Sequence, residues 1–365
     1  MAYQDEGQIA YGNTVINSNA VDLSLPINYN NIKSKTILIT GGASGFGAAC
    51  FQLWAKHGGN VIIGDVNDKA GAELVAQIRT ETGNPNHHFI HLDVTSWSSQ
   101  AAFFKQAATL SPHGGIDHVM ANAGIANPPE EGAFEEPPDY TSMNDPPVPK
   151  HRTLDINLGG VVYTAHLAIA YLSRNPGSKK CNPEEKTAAR DRHLILVSSI
   201  AGLCGLPSLP YYATAKHGVV GLFRTLRITA AIKNGIRVNM INPYFVETPL
   251  LGLDGTLVMA GGAMAKIDDV VQATTRLVAD QSIIGRGLVI GARAPSNVAK
   301  SAGLDPAVDD QAIWDVYAHD FEQTDVFVRR IIGITNLICM ARGWTGVVRD
   351  VGSRLSRPLW KALGY

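Results

Sequence analysis

Three groupings in this chain have residue types and spacing that could do chemistry. Tyr212-Ala213-Thr214-Ala215-Lys216 places a phenol and an ammonium four residues apart, on one face of a helix. An unperturbed tyrosine titrates near pH 10 and is a poor base at neutrality, but a neighbouring cation favours the phenolate and lowers that value. Tyr211 has Ala215 at the same offset, so only Tyr212 fits. The second grouping is Thr40-Gly41-Gly42-Ala43-Ser44-Gly45-Phe46-Gly47, where an apolar strand gives way to a helix. Glycines there allow a tight turn and let a pyrophosphate approach backbone N–H groups at the helix N-terminus. The chain has 36 glycines, so a turn that binds nothing is the plain alternative for this motif taken alone. The third is Asp65, 18 residues past Gly47 at the end of the next strand. A carboxylate there accepts hydrogen bonds from adenosine ribose hydroxyls and repels a 2′-phosphate. Its other possible job, capping the following helix, is expected of Asp68. Ala43 is neutral and no Arg or Lys directly follows Asp65, so NAD is expected over NADP.

The elements that must position these residues are readable from apolar periodicity. TILIT (36–40), NVIIGD (60–65), HHFIHLD (87–93), IDHVMANAG (116–124), HLILVSS (193–199) and IRVNMIN (236–242) read as strands, with GLVIGA (287–292) a seventh. Helices are expected between them: about Ser44 to His57, Asp68 to Thr80, Ser96 to Leu110, Thr153 to Ser173 and Tyr211 to Asn234. Short strands alternating with helices imply parallel pairing through right-handed crossovers. The expected fold is α/β, a doubly wound parallel sheet in a three-layer sandwich of about seven strands over residues 34–293. Residues 1–33 are polar and unpatterned, an expected extended arm. Ala126–Lys150 is rich in Pro, Glu and Asp, and its prolines argue for a surface loop without regular helix. Arg174–Arg192 is a second polar insertion. Residues 294–365 form a C-terminal extension with helical patterning, for example Ile313, Val316, Tyr317 and Phe321 on one face.

Composition excludes several classes. Lys+Arg number 31 against 32 Asp+Glu, a net charge of -1, so no strong field attracts nucleic acid. Cys50, Cys181, Cys204 and Cys339 are scattered, which suits a reducing, cytoplasmic setting. His57, His87, His88, His91 and His118 lack ligand spacing, so no metal site is expected. The N-terminus has neither a basic n-region nor an apolar h-region.

Taken together these motifs resemble the short-chain dehydrogenase/reductase family. TGGASGFG, Asn122-Ala123-Gly124, Ser199 thirteen residues before Tyr212, and Tyr212-x-x-x-Lys216 stand in that family's order and spacing. Ser198 is the adjacent alternative that the spacing argues against. Asn157 in LDINLGG resembles the family's helix asparagine, and Asp93 with Val94 in HLDVT its adenine-contacting pair. Asn242-Pro243-Tyr244-Phe245-Val246-Glu247-Thr248 resembles the segment holding the nicotinamide carboxamide, with Tyr244 where the family usually has glycine. The variant is similar to the branch of 15-hydroxyprostaglandin dehydrogenase and fungal polyketide-pathway alcohol dehydrogenases.

The resemblance implies a Rossmann fold and an NAD-dependent oxidoreductase interconverting a secondary alcohol and its ketone. Asn157, Ser199, Tyr212 and Lys216 would be catalytic. Gly41, Ser44, Gly45, Phe46, Gly47, Asp65, Asp93, Val94, Asn122, Ala123, Gly124, Pro243, Val246 and Thr248 would join Tyr212 and Lys216 around the cofactor. Asn157 would seat a proton-relaying water, and Lys216 would lower the phenol pKa. A non-redox, cofactor-binding scaffold or cyclisation catalyst is the alternative, and it needs none of the four catalytic residues. The segment Pro249–Met264 carries one charge, Asp254, among apolar residues and glycines. With Ile125, Leu206, Tyr244 and Phe245 it reads as an adaptable wall for an apolar substrate of secondary metabolism. The family's counterparts of helices 153–173 and 211–234 form subunit interfaces, implying a homodimer or homotetramer. The basic, apolar stretch Asp325–Tyr365 is expected to pack on protein, with membrane contact the less favoured reading.

Overall fold

The computed structural model describes residues 16–251, 264–293, 311–316 and 334. All but the last fall in one compact unit, Ile16–Ala318. Seven parallel strands stand in the order β3-β2-β1-β4-β5-β6-β7, with an eighth antiparallel at the edge. These are β1 (Thr36–Thr40), β2 (Asn60–Asp65), β3 (His88–His91), β4 (His118–Ala121), β5 (His193–Val197), β6 (Arg237–Pro243), β7 (Gly287–Ile290) and β8 (Ile313–Val316). The doubly wound Rossmann-type sheet expected from the sequence is present. Its strand order reverses between β1 and β4, which opens a crevice at their carboxyl ends.

The central strands are apolar because both of their faces are covered. Ile37, Ile39, Ile63, Ile195 and Val197 face one layer, built on α1 (Gly45–Lys56), α2 (Asp68–Thr82) and α7 (Ile267–Ala279). Leu38, Ile62, Val119, Leu194 and Leu196 face the other. That layer comprises α3 (Trp97–Leu110), α6 (Pro210–Asn234) and α5, which runs from Arg152–Leu154 through a π-helical stretch, Asp155–Gly160, into Val161–Leu172. Between them lies α4 (Pro128–Glu135), inside the first insertion.

Four expectations are corrected. Ile313–Val316 is a strand paired with β7, not a helix face; four residues cannot separate the two periods. The insertion 126–150 holds a helix, because Pro128 and Pro129 occupy its first turn, where no N–H is needed. Asn67, not Asp68, caps α2, its side chain accepting from the Ala70 N–H at 3.1 Å. The arm is tied down from residue 18: Ser18 exchanges backbone and hydroxyl bonds with Ile284, and the Val21 N–H donates to Asp315 at 2.7 Å. The stretch Asp325–Tyr365 and residues 252–263 lie outside the described residues, Ile334 excepted.

The amino ends of the strands are sealed by a buried ionic network. Arg237 donates to Asp191 at 2.8 Å, and Arg190 to Asp117 at 2.9 Å. The second insertion supplies Arg190 and Asp191, so its end is core rather than surface. Hydrogen-bond logic fixes the protonation of the two histidines inside. Asn239 Oδ1 accepts from the Arg286 N–H, so its Nδ2 must donate to His193 Nε2. His193 then carries its proton on Nδ1 and donates to His118 Nδ1 at 3.1 Å. Both rings are thereby neutral, and burial holds their pKa values well below 6.5. Arg237 holds Asp191 below the usual carboxylate range against the opposing effect of burial.

The unfolded chain therefore binds more protons than the native one as pH falls through 6.5, so stability is lost on acidification. Each histidine contributes a slope of about 1.4 kcal/mol per pH unit below its unfolded pKa. The thermal midpoint is expected to fall steadily between pH 7 and 5, and His193→Gln to flatten that fall. A midpoint independent of pH over this range would contradict the neutral pair.

Candidate active site

The glycine-rich turn connects β1 to α1. Gly41 and Gly45 adopt φ of +65° and +53°, values that favour glycine. A Cβ on Gly41 would lie 2.7 Å from Ala123 Cα, and one on Gly47 2.4 Å from the Gly41 carbonyl oxygen. The first glycine thus lets β1 and β4 exits meet, and the second lets α1 close over the turn. Ser44 is the N-cap of α1 and makes no side-chain capping bond, and with Gly45 and Phe46 it lines the crevice. Asn122 locks the turn from the β4 side, donating to the carbonyls of Thr40 at 3.0 Å and Gly41 at 2.9 Å. At the tip of β2, Asp65 accepts from the Ala43 N–H at 3.1 Å and the Asn67 N–H at 3.0 Å. Each oxygen keeps a further lone pair for a ribose hydroxyl.

These residues line one cleft of about 780 Å³, within the size range of small-molecule sites. Gly41, Ser44, Gly45, Phe46, Asp65, Asp93, Val94, Asn122, Ala123, Gly124, Tyr212, Lys216 and Thr248 all face it. Gly47, Asn157, Ser199, Pro243 and Val246 stand behind that lining. Val246 is buried and bridges Ala265, which fastens the segment after β6. Of the proposed apolar wall, Ile125, Pro249 and Leu250 line the cleft. Tyr244 and Phe245 instead pack edge to face on each other, and Tyr244 lies against the α7 core. Neither they nor Leu206 line it. Of the wall segment Pro249–Met264, residues 252–263 are outside the described ones.

At the reacting end, Ser199 follows β5 and its hydroxyl stands beside the Tyr212 phenol. Its Oγ also accepts from the Ala201 N–H at 3.2 Å and lies 3.4 Å from the Pro243 carbonyl. Ser198 lines the cleft, unlike Ser199, but its hydroxyl is turned to the Lys216 carbonyl, to which it donates at 3.0 Å. Lys216 Nζ sits 5.6 Å from the Tyr212 ring centre and donates to the Val197 carbonyl at 3.1 Å. Burial pushes the Lys216 ammonium down to about 8. The phenol is pushed above its usual value by desolvation, with the Ser199 hydroxyl pulling the other way. The expected lowering of the Tyr212 pKa by Lys216 is not seen: the ammonium lies over the ring, and burial raises the phenol. Asn157 is fully buried in the π-helical stretch of α5, and π-bulges often mark functional sites. Its amide donates to the Ile125 carbonyl and accepts from the Ile125 N–H, both at 2.8 Å. That leaves one N–H and one lone pair for a water.

Two buried acids escaped the sequence reading, which took the first insertion for a solvated loop. Glu130 accepts from the N–H and hydroxyl of Thr153, and Glu131 from the N–H groups of Tyr211 and Tyr212. The available signal was local: Pro-Pro-Glu-Glu is a helix start. Their partners lie too far along the chain for any spacing rule. Among the described residues, no group of three His, Cys, Asp or Glu is placed to hold a metal ion, and no helix is long and apolar enough to cross a membrane.

A strand-order reversal, a glycine turn that admits a pyrophosphate and a Ser–Tyr–Lys group define an oxidoreductase of alcohols working with a nicotinamide cofactor. The family profile described as short chain dehydrogenase matches residues 35–254, and the chain belongs to that family. It is 32% identical over 279 residues to 5′-hydroxyaverantin dehydrogenase of Dothistroma septosporum, covering 73% of this chain and 88% of the relative. It is 31% identical over 272 residues to (+)-borneol dehydrogenase 1 of Salvia officinalis, covering 71% and 93%. Among solved structures, a 3-ketoacyl-(acyl-carrier-protein) reductase from Brucella melitensis complexed with NADH shares the fold. Its TM-score is 0.55 at 24% identity, covering 71% of this chain and 97% of that one.

The two serines are separable by experiment. Ser199→Ala is expected to lower turnover at least tenfold, because the hydroxyl beside the phenol is removed. Ser198→Ala is expected to cost about 1 kcal/mol of stability and leave turnover within a few-fold. Steady-state rates and melting curves of both variants decide it, and the reverse pattern would assign the role to Ser198.

Proposed function

We propose that the chain interconverts a mainly apolar secondary alcohol and its ketone, with NAD as the preferred cofactor. The observation carrying this reading is the Ser199–Tyr212 hydroxyl pair, set beside Lys216 at one end of the cleft. Ser199 and Tyr212 hold the substrate oxygen between them, and Tyr212 takes or returns the hydroxyl proton. When bound, the nicotinamide ring supplies the hydride acceptor or donor. Lys216 holds the nicotinamide ribose and stabilises the phenolate. Asn157 keeps the Ile125 backbone in place and offers its remaining amide valences to a water that carries the proton outward.

The fit of NAD rests on the glycine cradle, on Asp65 at the tip of β2, and on Asp93 and Val94 at the adenine end. Gly41, Ser44, Gly45, Phe46 and Gly47 would hold the pyrophosphate, with Asn122, Ala123 and Gly124 flooring the crevice. Pro243, Val246 and Thr248 take the carboxamide side. Asp65→Ala is expected to narrow the preference for NAD over NADP, because one change removes a ribose acceptor and a repulsive charge. The ratio of specificity constants measures this, and equal use of both cofactors by the wild type would overturn it.

Ile125, Pro249 and Leu250 support an apolar substrate, as do relatives named as dehydrogenases of 5′-hydroxyaverantin and of borneol. A role in secondary metabolism follows from the same relatives. Exposed Trp97, Val162 and Tyr163, on adjoining faces of α3 and α5, support a homo-oligomer.

Tyr212→Phe tests the assignment directly. General acid–base groups contribute about 10²–10⁴-fold, so turnover on lipophilic secondary alcohols should fall at least a hundredfold while NAD binding changes little. Near-normal turnover would place the chemistry elsewhere. The raised phenol pKa gives a sign as well: in the wild type, alcohol oxidation rises with pH through neutrality, since it needs the phenolate, and ketone reduction does not.

A further inference from the structure

Helix α6 carries both Tyr212 and Lys216, yet it begins without a cap of its own. Its N-cap position is Leu209, which has no side-chain acceptor, and Pro210 follows. The first turn of any helix leaves N–H groups unpaired, and burying them unpaired costs stability. Here they can all be accounted for. Pro210 has no N–H, and the Ala213 N–H donates to the Leu209 carbonyl at 2.8 Å. The two between them belong to Tyr211 and Tyr212. Glu131 Oε2 accepts from the first at 2.8 Å and Oε1 from the second at 2.9 Å. The backbone amide of the tyrosine that moves the proton is thus held by a carboxylate some 80 residues earlier in the chain.

Glu130 repeats the arrangement one residue before. Its Oε2 accepts from the Thr153 N–H at 3.0 Å and the Thr153 hydroxyl at 2.6 Å. Thr153 lies in the first turn of α5, whose N-cap, His151, makes no side-chain capping bond, and Asn157 follows one turn later. Successive side chains on a helix diverge by about 100°, so neighbouring carboxylates on α4 can reach two different helices. Both are buried, Glu131 1% exposed and Glu130 8%. Two acids this deep are tolerable because each meets N–H donors at the positive end of a helix dipole. Phe134, a turn later on α4, packs edge-on against Tyr211 at 5.0 Å, so the contact with α6 is apolar as well as polar.

We propose that Glu131, with Glu130 beside it, is a positioning residue: the α4 carboxylates hold the first turns of the two helices carrying Tyr212 and Asn157, and so set where the proton-transfer groups stand. This inference rests on the assignment of Tyr212 as the acid/base. Neither glutamate lines the cleft, so their effect passes through the helices they cap. Displacement of a catalytic group by about 1 Å can cost up to 10²-fold in rate, with binding largely spared.

The test is Glu131→Ala, alone and combined with Leu209→Ser, which gives α6 an N-cap hydroxyl able to accept from one of the same two amides. Glu131→Ala is expected to lower kcat roughly 10- to 100-fold. The KM for the alcohol and the Kd for NAD should stay within about twofold, a split that general unfolding does not produce. The double variant should recover part of the lost kcat. Glu131→Gln keeps one carbonyl acceptor and should fall in between; it serves as the readout if the alanine variant does not fold. Wild-type kcat in a folded Glu131→Ala or Glu131→Gln variant would overturn the proposal. So would a double variant that melts like the wild type yet stays slow. Tyr212→Phe, assayed in parallel, separates the two readings. If it keeps its turnover, the assignment of Tyr212 fails first; if it is inactive while Glu131→Ala is not, only the clamp fails.

Discussion

The structure depends on one cross-link at the point where the strand order reverses. β1 and β4 are neighbours, but their chains leave in opposite directions, and the gap between those exits is the crevice. Thr40 and Asn122 hold it at a fixed width. The Thr40 hydroxyl accepts from the N–H groups of Asn122 and Ala123, and the Asn122 amide reaches back to the carbonyls of Thr40 and Gly41. The N–H groups of Gly41 and Gly42 are held from the other side by the Gly64 carbonyl and that of Ala43 by Asp65, so the turn is fixed between β2 and β4. A methyl group on Gly41 would force the exits apart, and one on Gly47 would push α1 off the turn.

The two ends of the sheet solve opposite problems. At the amino ends the polar atoms are buried and paired with one another, through Asp117, Asp191, Arg190, Arg237 and the neutral His118–His193 pair. Breaking such a network leaves an uncompensated charge, so it favours one arrangement of β1, β4, β5 and β6. At the carboxyl ends the polar atoms are held by partners that leave some of their valences open. Asp65, Asn157 and Ser199 each make two protein hydrogen bonds and retain capacity for more.

What could be read from the sequence was whatever the chain encodes locally. The glycine turn, the Tyr212–Lys216 spacing and the alternating strands and helices each occupy a few consecutive residues, and the fold and family reading followed from them. The larger errors arise from partners far apart in sequence, the smaller ones from choices between adjacent residues. Glu130 and Glu131 look like solvated charges until Thr153, Tyr211 and Tyr212 are brought to them by folding. Ile313–Val316 fits either period until β7 lies alongside it. Asp68 was the plausible cap because Asn67 stands one residue earlier with the same capacity. Tyr244 and Phe245 looked like pocket residues because they follow Pro243, yet they pack against each other.

Burial also changes how the Tyr212–Lys216 pair should be understood. On an exposed helix, the lysine would be charged and would pull the phenol down. Inside the protein both groups resist ionisation, the phenol staying above its usual value and the ammonium falling to about 8. An ion pair of phenolate and ammonium is then not the resting state that spacing alone suggests. In the proposed mechanism the neutral phenol, beside the Ser199 hydroxyl, would donate a proton to a carbonyl oxygen. To accept one instead, it must first lose its own, and the Lys216 charge becomes useful at that moment because little water is near to screen it. With its pKa at about 8 the Lys216 ammonium still carries most of its charge at neutrality, so burial keeps the phenol neutral while leaving a cation beside it.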